Sequence, residues 1–328
     1  MIVFGVNDLV NQNSEYFDVD IKIGMIPTFL ALLPLTYLIP TIYVIFCTIQ
    51  VYFKTLYEKS SDIVNPHVML IIILHEISTF GYMLSDYGNF RIPSTGVMTA
   101  WCARQEPSKL LIIIYASSIY CNYLSMMFPL LLAVMRLIPI YYPTTSSNKS
   151  RKLVRAAIPF ILLYPFAYIF VLFPAHGVCR QYPPPFQFGA VFLHYVNSWK
   201  NIGNHFFIML NATFWFILAI IANTILYRKL RKLGGARSIR YQKAERTLTL
   251  TTTSMMVSYL CNTVFMIVYS LFVSIAQWFI LLRPFGNDCD LVVVPWVFFL
   301  VHPAFRHKSL WLRNYATTVK PFRVRSIS

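Results

Sequence analysis

The chain has 328 residues, of which 57% are hydrophobic, 16% aromatic and only 12% charged. A soluble domain carries about twice that charged fraction, and a surface this apolar would aggregate in water, so the composition excludes an ordinary soluble enzyme or binding module. The net charge of +16 would suit nucleic acid, but the basic residues are placed along the chain as a membrane protein places them, and no nucleic acid is expected as a partner.

The first 26 residues hold Asp8, Glu15, Asp18 and Asp20 against a single Lys22. No basic stretch precedes an apolar run there, so a cleavable signal is not expected and the first long apolar run serves as its own targeting signal. A helix needs about 20 mostly apolar residues to cross a bilayer. Seven segments qualify: 27–53, 66–85, 109–135, 154–174, 204–227, 248–272 and 278–303. The expected fold is all-α, a seven-transmembrane bundle filling 27–303, with 1–26 an extracellular segment and 304–328 a cytoplasmic tail. With the N-terminus outside, 21 of the 28 Lys and Arg fall in the inner loops and the tail, as the positive-inside rule requires. Those residues form a basic belt against anionic lipid.

Enzyme motifs are absent: there is no GxxxxGK[ST], HExxH or GxSxG. The seven His are scattered, and His67 and His75 share a span without a third ligand nearby, so neither a metal nor a cofactor is expected. Cys47, Cys121, Cys261 and Cys289 lie within spans. Cys102 precedes the third span and Cys179 follows the fourth, both on the outer side, where a bridge is permitted. It would staple the outer end of span three to the second outer loop.

Span three ends AVMRLIPIYYP. Arg136 there is either an anchor reaching for the membrane edge or a switch that contacts span six in one state and a cytoplasmic partner in another. The third inner loop, YRKLRKLGGARSIRYQKAERTLTL, is the densest basic segment. It reads as a helical extension of spans five and six, broken at Gly234-Gly235. The seventh segment is expected to be the weakest span. Leu291–Val301 alone is too short to cross, so Arg283, Asn287, Asp288 and Asp290 must enter the membrane. Charge at that depth is costly unless paired, which makes it a functional candidate. At 100° per residue Arg283, Asn287 and Asp290 share a face and Asp288 points elsewhere. Glu76 in span two needs a partner, and a Glu76–Asn287–Asp290 cluster is expected. Pro284, Pro295 and Pro303 should bend this helix.

Four strings are familiar together: PTFLALLPLTYLIPT in span one, MRLIPIYYP after span three, QKAERTLTLTTTSMM leading into span six, and LRPFGNDCDLVVVPWVFFLVHPAFR through span seven. They resemble nematode serpentine chemoreceptors of the class G superfamily, most closely class U, over residues 20–310. The resemblance implies a receptor of the G-protein-coupled type, in the plasma membrane of sensory cilia, with a small molecule or peptide as chemical cue and a heterotrimeric G protein as partner. In rhodopsin-like receptors an acid precedes the span-three arginine and Asn-Pro stands in span seven. Here Met135 and His302-Pro303 occupy those places. The cue is expected among spans three, five, six and seven, with Tyr115, Tyr120, Asn211, Phe214 and Trp215 as candidate contacts. The competing reading is an ion channel or transporter with Glu76, Arg283, Asp288 and Asp290 along its path.

Overall fold

The computed structural model describes residues 9–12, 14–17, 26–58, 65–199, 204–233, 239–302 and 305. Seven long helical rods run through them. The first is α1 (Ile26–Glu58). The second is α2 (Pro66–Asp86), which continues through a π-helical turn (Tyr87–Arg91) into α3 (Ile92–Ser94). After the short α4 (Thr99–Ala103), α5 (Lys109–Ser125) and α6 (Phe128–Tyr141) make the third rod, jogged at Met126-Met127 with Pro129 at the start of α6. The fourth is α7 (Ser146–Leu163) followed by α8 (Phe166–Ile169). The last three are α9 (Asn204–Leu233), α10 (Ile239–Leu271) and α11 (Val273–Val301).

Among the described residues, six of the rods are long and apolar enough to cross a membrane. The rods overrun the sequence-based limits mainly at the expected cytoplasmic end. Counting apolar residues stops at the hydrocarbon edge, but a helix continues wherever its backbone bonds close, and α9 and α10 extend over the basic turns Arg228–Lys232 and Ile239–Arg246. Gly234-Gly235, the tail 304–328 apart from Phe305, and Pro303 lie outside the described residues.

Burial sorts the rods. About two thirds of the apolar stretch is buried in α2 (61%) and in α5–α6 (67%), against 28% in α1, α7–α8 and α9. The second and third rods are thus the centre. Met69, Ile71, Ile72, Tyr123, Leu132, Met135 and Phe298 are fully enclosed there. Large apolar residues of α1 and α9, such as Phe29, Ile39 and Phe214, face outward, as a lipid solvent permits.

One feature lies outside the all-α frame. In the second outer loop β1 (His176–Gln181) pairs antiparallel with β2 (Val191–Val196), in the register His176↔Val196 to Gln181↔Val191. The loop between them is braced by Gln181, whose Nε2 donates to the carbonyls of Tyr182 and Gln187 and whose Oε1 accepts from Gly189 N. The hairpin sits directly on the start of α5. Ser108 and Gly177 exchange backbone hydrogen bonds at 3.1 and 2.9 Å. A Cβ on Gly177 would overlap the backbone of Leu111 and Ile112, so only glycine fits there. Lys109 Nζ then caps the outer end of the fourth rod through the carbonyls of Phe173 and Ala175, both at 2.8 Å.

Candidate functional site

Cys102 of α4 and Cys179 of β1 are joined as a disulfide across 77 residues. Val10, Tyr16, Leu111, Val191 and Leu193 pack around it. Leu9 bridges to Arg180, and Tyr16 stacks on Phe188 at 4.6 Å. The N-terminal segment and the hairpin therefore form one cap on this end of the bundle.

Beneath the cap lies a network of buried charge. The π turn adds a residue to one helical turn and so re-aims the side chains at its far end. Arg91, the last residue of that turn, is 2% exposed. Its Nε donates to Asp86 Oδ2 at 2.8 Å, and its two terminal nitrogens donate to both oxygens of Asp288 on α11 at 2.8 and 2.5 Å. Tyr37 of α1 donates its hydroxyl to the same Asp288, and Tyr87 donates to the Ala31 carbonyl at 2.9 Å. Three rods are thus tied at one point by a paired guanidinium, the arrangement that makes a buried charge tolerable. Asp288 does face away from Arg283, Asn287 and Asp290, but towards partners inside the bundle.

The other three span-seven groups meet α2. Tyr82 accepts from Arg283 Nη2 at 2.6 Å and from Asn287 Nδ2 at 2.9 Å. Asp290 Oδ2 lies 3.3 Å from His75 Nε2, within ion-pair range though poorly aligned for a hydrogen bond. The expected Glu76–Asn287–Asp290 cluster is not formed. His75, Tyr82 and Asp86 recur at spacings of seven and four, which keeps them on one face of α2, whereas Glu76 is rotated 100° from His75. Glu76 is 1% exposed, and neither of its oxygens has a hydrogen-bond partner among the described residues. Among the described residues no group of three or more His, Cys, Asp or Glu side chains is arranged to hold a metal ion.

At the opposite end Arg136 is 2% exposed. Its Nη2 donates to Glu245 Oε2 at 2.8 Å, to the Glu245 carbonyl at 3.0 Å and to Thr249 Oγ1 at 2.6 Å, and its Nη1 donates to Thr252 Oγ1 at 3.3 Å. All three partners lie on one stripe of α10, so a single side chain clasps the third rod to the sixth. No acid flanks Arg136 in sequence. The acid it uses is 109 residues away.

The five expected cue contacts do not enclose one pocket. Tyr115 lies under the hairpin, with its ring 5.3 Å from that of Tyr195. Tyr120 donates to the Leu162 carbonyl at 3.0 Å. Asn211 and Trp215 both meet the Tyr164 hydroxyl, which seals α9 to the fourth rod just past the end of α7. Phe214 is 53% exposed on the outer surface of α9. Polar groups already bonded to each other across a helix seam are packing, and an outward Phe faces lipid.

Tyr37, Tyr82, Asp86 and Arg91 are network residues that the sequence did not single out, and His75 was weighed there only as a metal ligand. Asp86 and Arg91 look like loop residues because they come after the last apolar run of span two. Gly88-Asn89 in YGNFRIPS reads as a turn, so no local signal marked the helix that continues through them.

A family model described as the serpentine type 7TM GPCR chemoreceptor Sru matches residues 10–308. A relative, serpentine receptor class U-26 of Caenorhabditis elegans, is 32% identical over 258 residues, which are 77% of this chain and 88% of that protein. The match covers every rod, the capped end and the clasp, and this multi-pass membrane protein belongs to the Sru family of serpentine seven-transmembrane chemoreceptors.

Proposed function

We propose that this chemoreceptor sits in the plasma membrane of sensory cilia with its N-terminus outside and its tail in the cytoplasm. There it couples an extracellular chemical cue, a small molecule or peptide, to a heterotrimeric G protein, without catalysis of its own. The single observation that carries the coupling is the Arg136 clasp on Glu245, Thr249 and Thr252. The inner ends of the third and sixth rods cannot part while it holds. A cue that binds one packing of the bundle better than another shifts the equilibrium by that difference in affinity and by nothing else. Parting the rods would free Arg136 and the basic turns of α9 and α10 for an acidic partner surface. The switch residues Arg136, Arg283, Asn287, Asp288 and Asp290 then act as the two ends of one device, one held at each face, with Glu76 between them.

The channel reading has less support. Arg91, Asp86 and Asp288 are engaged with one another and 2–4% exposed, which leaves them poor linings for an ion path.

The test is signalling in a heterologous cell with surface expression monitored. Glu245→Ala is expected to raise basal second-messenger output several-fold by releasing the clasp. Arg136→Ala is expected to abolish cue-evoked output at normal surface level. Wild-type basal and evoked signalling in both variants would end the reading. Ion current from the purified receptor in liposomes would replace it with the channel.

A further inference from the structure

The first turns of α7 carry Lys149, Arg151, Lys152 and Arg155. The face that α7 turns to the bundle is Ser150, Val154 and Ile161, all buried, and at 100° per residue these lie within about 40° of one another. Arg151, Lys152 and Arg155 are exposed on the outward side and fall within about 100° of one another. Further along the helix that side carries Pro159, Phe160, Leu162 and Leu163, exposed as well. One outward strip of α7 is therefore basic in its first turns and apolar above them.

The depth of the strip follows from its length. No charged residue lies between Arg155 and His176. The uncharged stretch 156–174 covers about 28 Å at 1.5 Å per residue, close to the hydrocarbon thickness of about 30 Å. Arg155 thus stands at the hydrocarbon edge, and Lys152, Arg151 and Lys149 lie about 4–9 Å beyond it, at headgroup level. The positive end of the helix dipole faces the same way.

These cations are not engaged elsewhere. Among the described residues Arg151, Lys152 and Arg155 make no ion pair and no side-chain hydrogen bond. Glu245, an acid at this end of the bundle, is taken by Arg136. Lys149 Nζ lies over the Tyr142 ring, 2.9 Å from its centroid, which fixes that ammonium at the edge of the strip. A snorkelling anchor needs one cation. Three on one face leave positive charge that a singly charged headgroup does not match.

We propose that the first turns of α7 bind the headgroup of a polyphosphoinositide. Arg151, Lys152 and Arg155 donate to its phosphates, the guanidinium forks in pairs, and its acyl chains lie against Phe160 and Leu163. The apolar half of the strip is what selects a lipid over a free phosphate. The inference rests on the orientation proposed above only for the leaflet, which is then the cytoplasmic one.

The test is native mass spectrometry of the full receptor in detergent, titrated with phosphatidylinositol 4,5-bisphosphate, phosphatidylserine or phosphatidylcholine. A cation near an anionic lipid surface is worth roughly fivefold in affinity. The bisphosphate should therefore be held about tenfold or more tighter than phosphatidylserine. Lys152→Gln with Arg155→Gln should weaken it about tenfold or more, and Lys152→Gln alone about fivefold. Lys152→Arg with Arg155→Lys keeps the charge and should keep the binding. Arg231→Gln with Lys232→Gln, an equal loss of charge at the end of α9, should leave it within about twofold. Soluble inositol trisphosphate should compete about tenfold less well than the lipid. Equal binding of phosphatidylserine, an unchanged double variant, an equal loss in the α9 pair, or equal competition by the soluble headgroup overturns the site. Detergent exposes both ends of the bundle, so this binding does not depend on orientation or on signalling. A tail epitope reached from outside intact cells would overturn the leaflet and leave the site standing.

Discussion

Removing Asp288 is the sharpest test of the buried network. In Asp288→Ala the Arg91 guanidinium loses both hydrogen bonds to that carboxylate, at 2.8 and 2.5 Å, and keeps only the one to Asp86. Tyr37 loses its acceptor in the same step. Hydrogen bonds to charged groups are worth about 1.5–3 kcal/mol each. Removing one partner of a buried pair costs about 3–5 kcal/mol, because the other charge stays behind in low dielectric. With Asp86 retaining part of the guanidinium's charge, about 3–5 kcal/mol is the expected loss rather than the sum of every bond. That is two to three and a half orders of magnitude in the folding equilibrium, and on the order of 10 °C in the apparent melting temperature. The assay heats detergent-solubilised receptor and measures the monodisperse fraction by size exclusion. Arg91→Lys should lose about half as much, because an ammonium cannot hold both carboxylate oxygens as the planar fork does. Asp290→Ala, which gives up a single poorly aligned contact to His75, should cost about 1 kcal/mol. If Asp288→Ala melts within about 2 °C of wild type, or no lower than Asp290→Ala, the network does not hold the three rods and the reasoning fails.

Three further outcomes rest on single contacts. Tyr82→Phe removes the shared acceptor of Arg283 and Asn287 and should cost about 2–3 kcal/mol in the same melting assay, since two donors lose this acceptor at once. Gly177→Ala should lower surface expression sharply, because the new Cβ has no room against Leu111 and Ile112. The comparison is Gly286→Ala, whose Cβ would sit 3.0 Å from Cys261 Cβ and should be milder. Cys102→Ser opens a loop of 77 residues and should cost up to about 4.5 kcal/mol on the chain-entropy scale. The bridge itself is checked by a gel-mobility shift on reduction.

How much of this was legible in the sequence depends on the scale of the signal. The rods arise from apolar run length, and all seven were found with the correct order. The cap and the charge network depend on pairings between residues about 80 to 250 positions apart, and nothing local specifies those. Asp288 met Arg91 rather than any residue of its own helix face, and Arg136 met Glu245 rather than a neighbour. Periodicity did place Arg283 and Asn287 on one face, because both belong to the same helix and helical geometry is fixed by the backbone alone. It placed Glu76 wrongly because it says nothing of how two helices are rotated against each other. His75, Tyr82 and Asp86 on α2 form the face that turned inward towards α11. The hairpin was overlooked because its strands, HGVCRQ and VFLHYV, sit between two strong membrane signals that dominate the hydropathy profile.

The sixth rod shows how a polar run is accommodated within a long helix. Residues 245–254 of α10 carry Glu245, Arg246, five Thr and Ser254, and a transfer scale counts each hydroxyl as a group lost from water. In place, Thr249, Thr251, Thr252, Thr253 and Ser254 each donate to the carbonyl four residues back, at 2.7–3.0 Å. Their protons are satisfied within the helix that bears them, so the rod is less polar to its surroundings than its composition suggests. The lone pairs remain available, and two of those oxygens, on Thr249 and Thr252, are the ones that accept from Arg136. A run that looks like a poor membrane span is then a run of acceptors aimed at one guanidinium. Replacing Thr249 and Thr252 together by Val would make α10 more apolar and yet weaken its hold on the third rod. The expected result is higher basal signalling with unchanged or improved surface expression. A purely structural role for the threonine run predicts no change in basal output.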